Sequence, residues 1–142
     1  HAIRIGRGLT LFAGLCVLPG CFQNHEQVVP RIDARLLRGA MPVAGVRIHV
    51  LPEMFRVGCQ PSRYTAVTDD AGAFTLVGES RIGMIVPMGD RINTWGVCIE
   101  ENGRLIEGFR DGSIGWPPRH IDMQCDLERT IRICEWSERN QR

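Results

Sequence analysis

Cysteine, histidine and serine are the residues through which this chain could do chemistry, so their spacing comes first. Six cysteines occur in 142 residues, and Cys59, Cys98, Cys125 and Cys134 fall in the part that reads as a folded domain. In an oxidising compartment an even count in a domain this small implies two disulfides. Four cysteines can pair in three ways, and the sequence leaves all three open. Zinc is the rival chemistry. No Cys-x-x-Cys pair occurs, however, and His120 stands five residues before Cys125, which fits no zinc-finger spacing. Neither a metal nor a cofactor is expected.

Nucleophilic catalysis would need a serine or thiol beside a base. Ser62, Ser80, Ser113 and Ser137 are available, but none sits in Gly-x-Ser-x-Gly. His49 lies opposite the Val46, Ile48 and Val50 face of its segment and is expected to be exposed. His120 falls in an expected loop with Arg119 and Asp122, where a serine brought close in space would complete a triad. The acidic pairs Asp69-Asp70 and Glu100-Glu101 fall in expected turns, where carboxylates are solvated. No glycine loop for phosphate is present. The chain is therefore not expected to be an enzyme, and no catalytic residue is assigned.

The N-terminal residues change character twice, in the order a secretory signal requires. Arg4 and Arg7 make a short positive region, and Leu9 to Leu18 is apolar and uncharged. About ten residues suit a signal-peptide core and are too few to span about 30 Å of hydrocarbon. Leu18-Pro19-Gly20-Cys21 follows, and it resembles the bacterial lipobox. Cys16 suits that role less well, because Leu15 before it is bulky. The resemblance implies that the Cys21 thiol takes a diacylglyceryl group and that residues 1–20 are removed as a lipoprotein signal peptide. It also implies attachment by two or three acyl chains, each buried methylene contributing about 0.8 kcal/mol. Phe22 stands where an aspartate would hold such a protein at the inner membrane, which favours the outer membrane facing the periplasm. Residues 21–30 then read as the lipidated N-terminus and a polar tether, with His25 inside it, and residues 31–142 as the domain.

Composition agrees with one exported globular domain. Hydrophobic residues are 44% and charged residues 23%, so disorder is not indicated. All 17 cationic residues are arginines; removing Arg4 and Arg7 leaves 17 − 2 = 15 against 16 acidic residues. A near-neutral domain carries no electrostatic footprint for nucleic acid.

The elements that must position these residues read as short strands cut by 16 glycines and 8 prolines. Period-two alternation marks residues 31–36, 45–50, 63–68 and 73–77. The last two flank Asp69-Asp70-Ala71-Gly72, rich in turn formers, and would form a hairpin. Asn102-Gly103 between residues 94–99 and 104–109 is a strong hairpin signal. Residues 111–118, with Trp116-Pro117-Pro118, read as a loop. Residues 126–134 fit either a helix or a strand, and β-branched Thr130, Ile131 and Ile133 favour a final strand. About seven short strands indicate an all-β antiparallel sandwich of transthyretin-like or immunoglobulin-like type.

Pro42-Val43-Ala44-Gly45-Val46-Arg47-Ile48, followed by Thr68-Asp69-Asp70-Ala71-Gly72-Ala73-Phe74, resembles the transthyretin-like, carboxypeptidase-regulatory-like sandwiches over about 35 residues. In that pattern Asp69 bonds the turn backbone, Gly72 permits the turn, and Phe74 returns to the core. Two enzyme classes resembling this sandwich fail here. Intradiol dioxygenases hold iron with two tyrosines, and Tyr64 is the one tyrosine present. Hydroxyisourate hydrolases end in Tyr-Arg-Gly-Ser, whereas this sequence ends Glu138-Arg139-Asn140-Gln141-Arg142. The expectation is a membrane-attached interaction module that meets a protein partner in the envelope, as a secretion-complex component or an immunity lipoprotein. The alternative is a lipoprotein that binds or senses a small ligand in a pocket around Trp95 and Trp116. A hydrolase ranks last.

Overall fold

Alternation in Arg31–Arg38 (β2) sends Ile32 and Leu36 to one face, where both are fully buried, and Arg31 and Arg35 to the other. A computed structural model describes residues 24–83 and 92–139 of the chain, and within them nearly every element is a strand. In chain order they are Asn24–Val29 (β1), β2, Met41–Pro42 (β3), Arg47–Leu51 (β4), Tyr64–Val67 (β5), Ala73–Leu76 (β6) and Glu79–Gly83 (β7). Ile92–Asn93 (β8), Gly96–Glu101 (β9), Arg104–Arg110 (β10), Ser113–Ile114 (β11), His120–Asp126 (β12) and Cys134–Glu138 (β13) follow. One helical turn, Met54–Val57 (α1), lies between β4 and β5.

The all-β sandwich is present. One sheet runs β13-β12-β2, with β3 and β6 both pairing the far side of β2; the other runs β10-β9-β4-β5. Ile32, Leu36, Phe74, Leu76, Ile121 and Met123 of the first face Ile48, Val50, Val97 and Ile99 of the second in one core. Each such side chain stabilises the fold by roughly 1.5–3 kcal/mol on burial. Two-stranded ribbons, β1-β7 and β8-β11, complete the strands among the described residues. The two main sheets alone hold nine strands, so the described residues exceed the expected seven even without the ribbons.

The pairing differs from expectation. β2 and β12 are parallel, Ile32 opposite Ile121, whereas the other strand pairs among the described residues are antiparallel. β5 and β6 do not form a hairpin: β5 pairs β4 and β6 pairs β2, so residues 68–72 carry the chain from one sheet to the other. Asp69 makes that corner by accepting the Ala71 and Ala73 N–H groups at 2.9 Å each, and Phe74 then enters the core. The other corner, residues 42–46, lies alongside. Gly45 N–H donates to the Thr68 carbonyl at 2.9 Å, and Val46 N–H to Thr68 Oγ1 at 3.0 Å. The two stretches that carry the transthyretin-like resemblance therefore form one hydrogen-bonded end of the sandwich.

Residues 126–134 are not the final strand. Asp126 ends β12, and its Oδ1 accepts N–H bonds from Gly39 at 2.9 Å and Glu128 at 3.0 Å. The chain turns there, Arg132 takes a positive φ of 52°, and the last strand starts at Cys134. Ile131, which alternation placed in a strand, is 80% exposed. The expected loop at 111–118 contains β11. Of the expected tether, Asn24–Val29 is β1, paired with β7, and Val29 is fully buried, so packed structure starts before residue 31. The Asn102-Gly103 hairpin forms as read, both residues at positive φ, as a two-residue turn with right-handed strand twist requires.

Candidate functional site

Sulfur chemistry resolves into Cys59–Cys98 and Cys125–Cys134, one of the three pairings left open. Cys125 and Cys134 are cross-strand partners at the join of β12 and β13, and both belong to the main core. Cys98 projects from β9 on the sheet's outer face, where residues 52–63 pass over it and bring Cys59 within bonding distance. With Leu51 and Met54 it makes a small cluster apart from the main core. Cys21 and the leader lie outside the described residues.

His49 is buried, not exposed. Its position opposite Ile48 and Val50 holds, but that outer face is covered by residues 52–63 rather than by water. Nδ1 accepts the Ser62 N–H at 3.1 Å, which places the ring proton on Nε2, 3.3 Å from Glu100 Oε2. The Ser62 hydroxyl is engaged elsewhere, donating to the Val50 carbonyl at 2.6 Å and accepting the Tyr64 N–H at 3.1 Å. Ser, His and Glu thus meet with their hydrogen bonds committed to holding a loop, and the Ser62 hydroxyl bonds the backbone rather than the imidazole, unlike an activated nucleophile.

His120 opens β12 rather than lying in a loop, and its partner is Asp33 on β2, not Asp122. Nε2 and Asp33 Oδ2 are 2.5 Å apart, and Thr75 Oγ1 donates to Asp33 Oδ1 at 3.0 Å. The His120 hydrogen bond, aided by Thr75 and the Arg31 charge, holds the Asp33 carboxyl below the usual aspartate range despite partial burial. Parallel pairing sets Asp33 beside Asp122 on one face. Arg139 offsets their repulsion: Nη1 reaches Asp33 at 3.2 Å, Nε reaches Asp122 at 2.9 Å, and Nη2 also bonds Asp122. The cluster links β6, β2, β12 and the residue after β13 through these bonds. Among the described residues no group of three or more His, Cys, Asp or Glu is placed to hold a metal ion.

The tryptophans separate. Trp95 is fully buried, its ring centroid 5.0 Å from Phe109 and 5.9 Å from Trp136. Trp116 is 38% exposed beside β1, lining a hollow with His25, Gln27 and Arg119. A shared pocket around Trp95 and Trp116 is therefore not formed. A groove of about 580 Å³ lies instead between β10 and the 130–133 loop, with Phe109, Trp136 and Ile133 in its lining and Glu107 and Arg132 at its rim. β10 and β13, which flank it, are the edge strands of their sheets. Aromatic rings beside two sheet edges could take an extended chain or a small apolar ligand. The Asn102-Gly103 hairpin placed Phe109 on a returning strand, but the groove needs β10 and β13 from opposite sheets to come together, which no local pattern announces.

No family model, no curated protein and no solved structure matches this chain. No helix among the described residues is long and apolar enough to cross a membrane.

Proposed function

We propose that this chain is a lipid-anchored interaction module of the bacterial envelope, built on a transthyretin-like sandwich and acting by binding rather than catalysis. The observation that carries the reading is the agreement between a signal-like N-terminus ending at Cys21 and two disulfides in the domain that follows. Disulfides persist in compartments reached by export, and rarely in the cytosol. The Ser62–His49–Glu100 and His120–Asp33–Arg139 groups support a binding role, because their polar atoms serve the fold. The groove lined by Phe109 and Trp136 is the surface best suited to a protein partner in the periplasm, on the inner side of the outer membrane.

The deciding experiment expresses the full chain with its own leader in a Gram-negative host fed an alkyne-tagged palmitate. The wild type should take up label and sediment with the outer membrane, and Cys21→Ser should do neither. An unlabelled wild type in the cytosolic fraction, with residues 1–20 retained and its thiols reduced, would overturn the reading. The second reading, a small-ligand lipoprotein, is favoured by the half-buried Trp136 in the groove. It requires saturable quenching of tryptophan fluorescence by an apolar ligand, abolished in Trp136→Leu.

A further inference from the structure

Residues 52–63, between β4 and β5, form a strap over the outer face of the β10-β9-β4-β5 sheet. Its entry is held by the Met54 N–H, which donates to the Thr94 carbonyl at 2.9 Å. Its exit is held by Ser62, through the His49 ring and the Val50 carbonyl. Between these points the covalent tie to the sheet is Cys59–Cys98, which closes 39 residues of chain. The two bridges differ in access. Cys125 and Cys134 are 0% and 1% exposed, inside the main core, whereas Cys59 is only partly buried and sits at the strap's surface.

We propose that Cys59–Cys98 is an exchange-active disulfide that latches the strap, and that a partner dithiol opens it while Cys125–Cys134 stays closed. A thiolate of the partner attacks the accessible Cys59 sulfur. The new sulfur–sulfur bond forms as the Cys59–Cys98 bond breaks, and the electron pair leaves on Cys98. The partner's second thiol then attacks its own sulfur in the mixed disulfide and expels Cys59. The partner departs oxidised, and its two protons end on Cys59 and Cys98.

The surroundings of Cys98 suit a leaving sulfur. His49 is its direct cross-strand partner on the same face, and such pairs have Cβ atoms roughly 4.5–5.5 Å apart. When Ser62 withdraws with the strap, Nδ1 of His49 loses the N–H it accepts. Leu51, Cys98 and His49 are then uncovered together, so reduction converts a closed sheet face into an apolar surface carrying a thiol and an imidazole.

Stepwise titration of the oxidised chain with dithiothreitol, followed by alkylation with iodoacetamide and peptide mapping, tests the order of opening. Cys59 and Cys98 should become alkylated at a concentration at least ten-fold below that needed for Cys125 and Cys134. Opening of both bridges together, or of Cys125–Cys134 first, would overturn the proposal. Hydrogen exchange on the selectively reduced protein tests the latch. The Ser62 and Tyr64 amides should lose protection while β2 and β12 keep theirs, and retained protection at Ser62 would sink the strap release. The double variant Cys59→Ser/Cys98→Ser should show the same exchange pattern without reductant, while the native titration does not depend on that variant folding.

Discussion

Gly72 and Leu36 grip one another where the chain leaves one sheet for the other: the Leu36 N–H donates to the Gly72 carbonyl at 2.7 Å, and a Cβ on Gly72 would collide with the Leu36 carbonyl oxygen. Gly72 also has a φ of +72°, so its missing side chain answers two demands at once. Gly72→Ala should destabilise by about 2–4 kcal/mol, combining a left-handed backbone cost with overpacking. Asp69→Ala, which orphans two turn N–H groups, should cost about 1–2 kcal/mol. Urea midpoints of the two variants against wild type check both values, and wild-type stability in Gly72→Ala would disprove the corner's role.

Loss of the two disulfides should not be equivalent. Chain entropy assigns about 4 kcal/mol to closing 39 residues and about 3 kcal/mol to closing 9. Cys59→Ala/Cys98→Ala should therefore lower the urea midpoint at least as far as Cys125→Ala/Cys134→Ala. Near-ultraviolet circular dichroism separates the two further. The second pair lies against Gly108 in the main core, so its removal should disturb the Trp95, Phe109 and Trp136 signal more.

Acid should loosen the sheet that contains β2 and β12. The backbone N–H groups of Glu128 and Gly39 hold the Asp126 carboxyl below the usual aspartate range, and the His120 hydrogen bond does so for Asp33. A carboxylate depressed in the folded state contributes stability that is fully present above its unfolded value of about 3.9 and is lost as pH falls through the folded value. Urea midpoints should hold steady from pH 7 to 5 and decline below about pH 4. Asp126→Asn keeps an oxygen that can accept both N–H bonds but carries no charge, so it should lower neutral stability modestly and flatten the acid decline by the same amount. An unchanged acid profile in that variant would remove Asp126 from the account.

Trp95 Nε1 is buried and has no hydrogen-bond partner among the described residues. Truncation to alanine should cost about 3–5 kcal/mol through the cavity it leaves. Trp95→Phe should cost much less, under about 1.5 kcal/mol, because it also removes an unsatisfied donor. Thermal unfolding of the two variants distinguishes this from a simple volume effect.

Local chemistry was enough to read several features from the residue order. Two-residue alternation placed β2 and β4, Asn102-Gly103 placed a hairpin, and Asp69 with Gly72 placed a turn. Each depends on backbone preferences and on neighbours a few residues away. Tertiary structure alone decided what these pieces meet. Residues 68–72 became a corner between sheets because β5 finds β4 and β6 finds β2. Cys98 and Cys59 met because residues 52–63 fold over a sheet face, and the same fold buried His49, whose alternation had pointed it toward water. His120 took Asp33 as its partner through a parallel pairing of strands 87 residues apart. Contacts made across such distances arise from burying two sheet faces together, and no short run of side chains records which faces those will be.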